Sequence, residues 1–208
     1  MDSSSGKSTF NRCAICSGLH AAGPGQISLS PASILGATPP ERLVLPSPNG
    51  SAICAELEAG GVVVVAASLR NAGAVGRWLS GQQAAVGIVA AGERWPDDGS
   101  LRPAVEDLWG AGAVVEALVT HGPTTTVSPE AEAARTASGV VRADLPRQLA
   151  ACASGVELIV KGFAADVAIA AELDVSAVVP VLTDGWFAPA LTDRGLRSAP
   201  PTQGRIRP

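Results

Sequence analysis

The sequence predicts a single α/β domain, three layers deep as α/β/α around a largely parallel sheet, and three observations carry that prediction. Short apolar runs rich in Val recur along the centre of the chain. Helix-like segments of strand-to-strand crossover length separate them. The core material is also of the right kind: hydrophobic residues make up 47% of the 208 residues, yet aromatics are only 3% and Tyr is absent. A core built from Val, Ala and Leu suits a buried parallel sheet covered by Ala-rich helices.

Taken in order, Leu43–Leu45 ends at Pro46 and reads as a strand. Turn chemistry follows in Ser47-Pro48-Asn49-Gly50-Ser51. Ala52 to Glu58 is helical and stops at Gly60-Gly61. Val62 to Ala67 is an unbroken run, predicted as a central strand buried on both faces. Asn71 to Leu79 is the next helix and Val86 to Ala91 the next strand. Pro103 introduces a helix over Ala104 to Leu118. This alternation predicts βαβ units with right-handed crossovers. Beyond it, Pro129–Ala137, Leu145–Ala153 and Val156–Glu172 read as helices, the last broken at Gly162. Val178 to Leu182 reads as a final strand, held to an edge by Pro180, which cannot donate to a ladder. Residues 1–24 form an expected loose arm, 25–191 the folded domain and 192–208 a flexible tail.

Composition excludes several classes. The net charge of −4 and the absence of a basic cluster outside Arg205 and Arg207 argue against a nucleic-acid surface. No apolar run reaches the roughly 18 to 20 residues that span a bilayer, and the start, MDSSSGKSTFNR, is no secretory signal. Cys13, Cys16, Cys54 and Cys152 fit reduced thiols in a cytoplasmic protein better than a disulfide scaffold.

Isolated motifs carry little chemistry. Gly6-Lys7-Ser8 lacks the first glycine and the preceding strand of a phosphate-binding P-loop. Cys13-Ala14-Ile15-Cys16 is half of a zinc site with only His20 near it. Neither His20 nor His121 accompanies a nucleophile elbow, so a Ser-His-Asp hydrolase is unsupported.

The loops after the predicted strands are richer. In a parallel sheet, ligands bind beyond the carboxyl ends of strands. Asn49-Gly50-Ser51 follows the first, with backbone amides able to approach an anion. Arg70 and Asn71 follow the second, offering a guanidinium for phosphate or sulfonate. Glu93 and Arg94 follow the third, with Glu106 and Asp107 at the next helix start. Each loop alone has a structural reading: Asn49 as a helix cap, Glu106 and Asp107 as complements of a helix dipole. Together they predict a site for an anion with a hard metal.

These segments also carry a resemblance. Gly25 to Pro31 (GQISLSP), Leu43 to Ser51 (LVLPSPNGS), Ala66 to Ala72 (AASLRNA), Ala90 to Trp95 (AAGERW), Val105 to Ala113 (VEDLWGAGA), Ser154 to Asp166 (SGVELIVKGFAAD) and Val178 to Gly185 (VVPVLTDG) resemble, in order, the motifs of the 2-phosphosulfolactate phosphatases. The resemblance implies a Mg²⁺-dependent phosphatase that hydrolyses 2-phospho-3-sulfolactate, or a similar phosphorylated hydroxy acid, in coenzyme M biosynthesis. It implies roles in catalysis for Glu93 and Asp107, in metal binding for Glu93, Glu106 and Asp107, and in substrate binding for Asn49, Gly50, Ser51, Arg70, Asn71 and Arg94. Members begin with a strand running into a motif like V-I-D-V-L-R-A-T-T, and nothing similar precedes Gly25. A missing first βα unit is therefore expected, and with it an open sheet edge. The alternative is an inactive truncated relative that binds small anions or forms a homo-oligomer through that edge.

Overall fold

The computed structural model describes residues 13–15, 27–45, 47, 49–122 and 125–190. The predicted arm, apart from residues 13–15, and the predicted tail, 192–208, lie outside the described residues, as do Gly6-Lys7-Ser8, His20, Arg205 and Arg207.

The fold mixes helix and strand, with helices dominant. In chain order the elements are β1 (Cys13–Ile15), α1 (Pro31–Leu35), β2 (Arg42–Val44), α2 (Gly50–Ala59), α3 (Ala72–Ser80), β3 (Glu93–Arg94), β4 (Leu101–Arg102), α4 (Val105–His121), α5 (Pro129–Val141), α6 (Leu145–Ala151), α7 (Ala153–Val160), α8 (Ala164–Ala170), β5 (Pro180–Thr183) and β6 (Trp186–Pro189). Short 3₁₀ turns lead into α3 and α6.

The helices follow their local signals. Ser128 caps α5 by accepting from the Ala131 amide, with Pro129 at the first helical position. Cys152 caps α7 with its sulfur. Gly162, at φ +90°, separates α7 from α8 where the sequence predicted a break. The hydrophobic core lies here: Ala72 and Val75 of α3, Trp109, Ala113 and Val114 of α4, Val141 of α5, Leu145 and Leu149 of α6 and Val167 of α8 are buried together. Glycines let the helices come close. A Cβ added at Gly76 would overlap Ala117 of α4, and one at Gly112 would overlap the Ala134 carbonyl of α5. Helix α4 is thus held between α3 and α5 along seams without side chains.

A buried polar clamp fixes α1 to α8. Asp166 Oδ1 accepts from Ser30 Oγ at 2.7 Å and from the Ala32 amide at 2.9 Å, while Ser28 Oγ accepts from the Ser30 amide. Ser28, Ser30 and Asp166 are all buried. These contacts link the SLSP and FAAD segments, 136 residues apart in the chain.

The predicted parallel sheet is not formed among the described residues. Only β1 and β2 pair in parallel; β3–β4 and β5–β6 are antiparallel hairpins. Val62–Ala67 is extended but joins no ladder beyond one antiparallel bridge, Val65 to Val181, flanked by the bonds Ala66 N–H to Pro180 O and Leu182 N–H to Val64 O. Val64 is buried, yet Val62 and Val63 are 53% and 48% exposed, so the run is not enclosed on both faces. Val86–Ala91 belongs to no strand or helix, and Val89 is 59% exposed. The reason is physical. A β-branched run specifies an extended backbone locally, but pairing and its direction depend on a second segment far away in sequence. Pro180 does begin a strand, and its partner is β6, reached through Asp184-Gly185, both at positive φ.

Candidate functional site

The rim site is organised by Gly92, the residue that ends the Val86–Ala91 run. Its φ of +71° is left-handed, and a Cβ would press on Leu101 Cδ1 at 2.8 Å. Glycine is therefore required on both conformational and steric grounds. Its amide donates to Asp107 Oδ2 at 2.7 Å and its carbonyl accepts from Asn49 Nδ2 at 2.8 Å. Asn49 Oδ1 in turn accepts from Arg94 Nε at 2.9 Å. Asn49 occupies the cap position of α2 without capping it by its side chain. Its amide group is spent instead on the Gly92-Glu93-Arg94 segment. Three loops separated in sequence thus meet: Asn49, Gly92 to Arg94, and the first turn of α4.

The β3–β4 hairpin holds this arrangement. Arg94 Nη1 donates to Gly99 O at 2.7 Å. On β4, Arg102 donates to both Glu157 oxygens, at 2.5 and 3.2 Å, and lies over the Trp95 ring at 5.5 Å. Sequence reasoning missed Arg102 and Glu157. The signal available was the SGVELIV segment, whose Glu157 stands on α7 facing the hairpin.

The electrostatics are those of crowded carboxylates. Withdrawal from water pushes Asp107 above the usual carboxylate range; the Gly92 amide opposes this and Glu106 adds to it. Glu93 is raised by partial loss of solvation and then by the Asp107 charge, with Arg102 opposing. Glu157 is lowered by its bonds to Arg102. The Cys152 thiol is raised by burial, and Glu106 contributes in the same direction.

Other predicted residues stand elsewhere. Arg70 pairs with Glu172 and donates to Ile169 O at 3.0 Å. Asn71 is buried; its Oδ1 accepts from the Ser68 amide at 2.8 Å and its Nδ2 donates to Val178 O at 3.0 Å, so it ties the start of α3 to the approach to β5. Neither is hydrogen-bonded to the rim network. Gly50 opens α2, and Ser51 turns its hydroxyl back to the Ser47 carbonyl.

Among the described residues, no group of three or more His, Cys, Asp or Glu is gathered to hold a metal ion. The set Glu93, Glu106 and Asp107 is therefore not a closed three-ligand site. The donor chemistry nonetheless suits a hard cation: Glu93 and Asp107 are mutually repelling, partly desolvated carboxylates. Mg²⁺ commonly takes one or two protein carboxylates and completes its shell with water or substrate oxygens.

The structure is of mixed α/β class, and Asn49, Gly92, Arg94 and Asp107 gather guanidinium, amide and carboxylate groups in one place. The chain belongs to the 2-phosphosulpholactate phosphatase family, whose model matches residues 25–185. No curated protein matches it. The family is one of phosphatases, and hydrolysis of a phosphate ester is its class of reaction. Among the described residues, no helix is long and apolar enough to cross a membrane.

Proposed function

We propose that this chain hydrolyses 2-phospho-3-sulfolactate, or a phosphorylated hydroxy acid like it, at the rim formed by Asn49, Glu93, Arg94 and Asp107. The observation that carries the reading is the Asn49–Gly92–Asp107 network, which brings three sequence-distant family segments to one place. Arg94 is held by Asn49 and Gly99 in a fixed pose, which suits a guanidinium that must meet an anion without reorganising. Glu93 and Asp107, both raised by loss of solvation, are candidates to exchange a proton with a water or a leaving oxygen. Glu93 and Asp107 would hold Mg²⁺, with Glu106 beside them, and the ion would supply charge neutralisation at the phosphoryl oxygens. Arg70 belongs to the substrate only if it leaves Glu172.

The remaining parts of the proposal rest on the family resemblance and on composition: a step in coenzyme M biosynthesis, a cytoplasmic location, a three-layer sheet completed in the active state, and no nucleic-acid partner. The competing reading is a small-anion-binding relative without turnover; its support is that no group of three or more metal-ligating side chains gathers among the described residues.

The test is phosphate release from 2-phospho-3-sulfolactate with and without Mg²⁺. Metal-dependent turnover is expected, and Glu93→Gln and Asp107→Asn should each lower it by about 100-fold or more while the melting temperature changes little. Binding without turnover in the wild type would favour the alternative, and unchanged turnover in both variants would remove these carboxylates from the reaction.

A further inference from the structure

A second concave site lies away from the rim, between α3, α4, α5 and the segment 174–177. It encloses about 800 Å³, within the range of small-molecule pockets. Its walls are stripped of bulk, with Gly73, Ala113, Ala117, Ser138 and Gly139 among the lining residues, so backbones and short side chains leave the space open. Charge is concentrated on its edge in Arg77, Arg135 and Arg142, with His121 beside them.

Pairing decides which of these charges is available. Arg135 is held by Glu132 and Glu116 at 2.6 to 2.8 Å, so both it and Glu116 are spent on each other. The other lining carboxylate, Asp174, accepts from the Gly73 amide at 2.5 Å. What remains is Arg77 and Arg142. Among the described residues neither guanidinium has a carboxylate partner, and the one side-chain neighbour of Arg77 is His121 Nε2 at 3.4 Å. Two uncompensated arginines on one cavity stand out in a chain of net charge −4. These two border one concavity in which Glu116 is already paired with Arg135 and Asp174 is left to offset only one charge, so the lining stays net positive.

We propose that this cavity binds a compact polyanion carrying phosphate-like groups, with Arg77 and Arg142 as its two anchors. The planar forks of two guanidinium groups match tetrahedral oxyanions, and the side-chain-poor walls leave room for the body of the ligand. The site is separate from the rim. Arg77 is bonded to His121, which stands at the opposite end of α4 from Asp107, 14 residues or about 21 Å along the helix, while the lining reaches back along α4 as far as Ala113. The ligand is therefore not the molecule being hydrolysed at the rim, and the proposal does not rest on the activity assigned there.

The test uses inorganic pyrophosphate as the probe, measured by titration calorimetry on the full chain. The wild type, the double variant R77A/R142A, the conservative double variant R77K/R142K and the rim variant R94A are compared. Charge-assisted contacts of this kind predict a loss of at least tenfold in affinity for R77A/R142A. R94A should keep the binding, and R77K/R142K should recover part of it. Both arginines are exposed, so the variants should keep the wild-type melting temperature, and the thermal stabilisation by pyrophosphate should vanish with the double alanine variant only. Affinity that falls less than tenfold in R77A/R142A, binding lost only in R94A, or no binding by the wild type would each overturn the proposal. A failure of phosphatase activity would leave it intact, since the readout is binding at the far end of α4.

Discussion

The helical half and the extended half of this chain solve the burial of valine differently. In the helices, Val75 and Val114 are almost completely buried where α4 touches α3 on one side and α5 on the other, while Val140 of α5 and Val160 of α7, away from those seams, are 79% and 81% exposed. In the non-helical segments Val62, Val63, Val89, Val175 and Val178 are all between 47% and 59% exposed, and only Val64 and Val179, beside the contacts with β5 and its approach, are buried. A helix satisfies its own backbone and needs only a neighbour's face. A strand needs a neighbour's backbone as well, and 62–67 finds that neighbour at only a few positions on β5. Burial of an apolar run therefore follows from pairing and not from composition.

The sharpest way to break this comparison is at the glycine seam. Gly112→Ala puts a methyl group into the Ala134 carbonyl, and a clash with backbone cannot be relieved by a rotamer change. A loss of about 3 kcal/mol or more is expected, read as a fall in urea midpoint; a near-neutral result would mean that α4 and α5 are not in contact as described.

Truncation at matched apolar positions sharpens the contrast. Leu145, 4% exposed in the core, should cost about 2 to 5 kcal/mol when changed to Ala. Val89→Ala, at 59% exposure, should stay within about 0.5 kcal/mol. Comparable losses at the two sites would show that the extended run is covered in solution.

The smallest expected effect joins the two halves, because Asp107 connects α4 to the end of the extended run at Gly92. Its folded-state pKa is raised above the ordinary 3.8, so the folded protein binds this proton more tightly than the unfolded chain. That contribution is fully present below pH 3.8 and is lost as pH rises through the raised value. Several acids shifted the other way, Glu157 and Glu132 among them, act in the opposite sense. The informative quantity is accordingly the difference between wild type and Asp107→Asn. On lowering the pH from 7 towards 4, the wild type should gain stability relative to the variant; a constant difference would show that Asp107 is not perturbed by folding.

Much of the helical half was legible in the sequence, because its signals are local. Asn71 to Leu79 anticipates α3, Ala104 to Leu118 anticipates α4, and Gly162 marks a break that its φ of +90° explains. The site was half legible. Asn49 and Arg94 follow apolar runs and Asp107 opens α4, and the three meet through Gly92 even though those runs are not strands of a common sheet. Arg70 pairs with Glu172, 102 residues away, a contact that no local signal in the sequence announces. The β6 strand has a local signal in Asp184-Gly185, a hairpin turn with both residues at positive φ, but Pro180 by itself specifies only an edge and not the partner that covers it. Asp166 was legible only as part of a motif; its bonds to Ser30 and Ala32 require the tertiary structure.

The glycine seams have a further consequence for the order in which the molecule opens. Helix α4 is gripped on two sides by backbones approaching at Gly76 and Gly112, so its amides cannot meet solvent unless α3 or α5 first departs. Deuterium should enter the isolated run 86–91 within the earliest time points, for want of ladder bonds there, and reach the middle of α4 last. Helix α4 would then act as the slow-exchanging spine of the domain, with Asp107 at one end of it and His121 at the other.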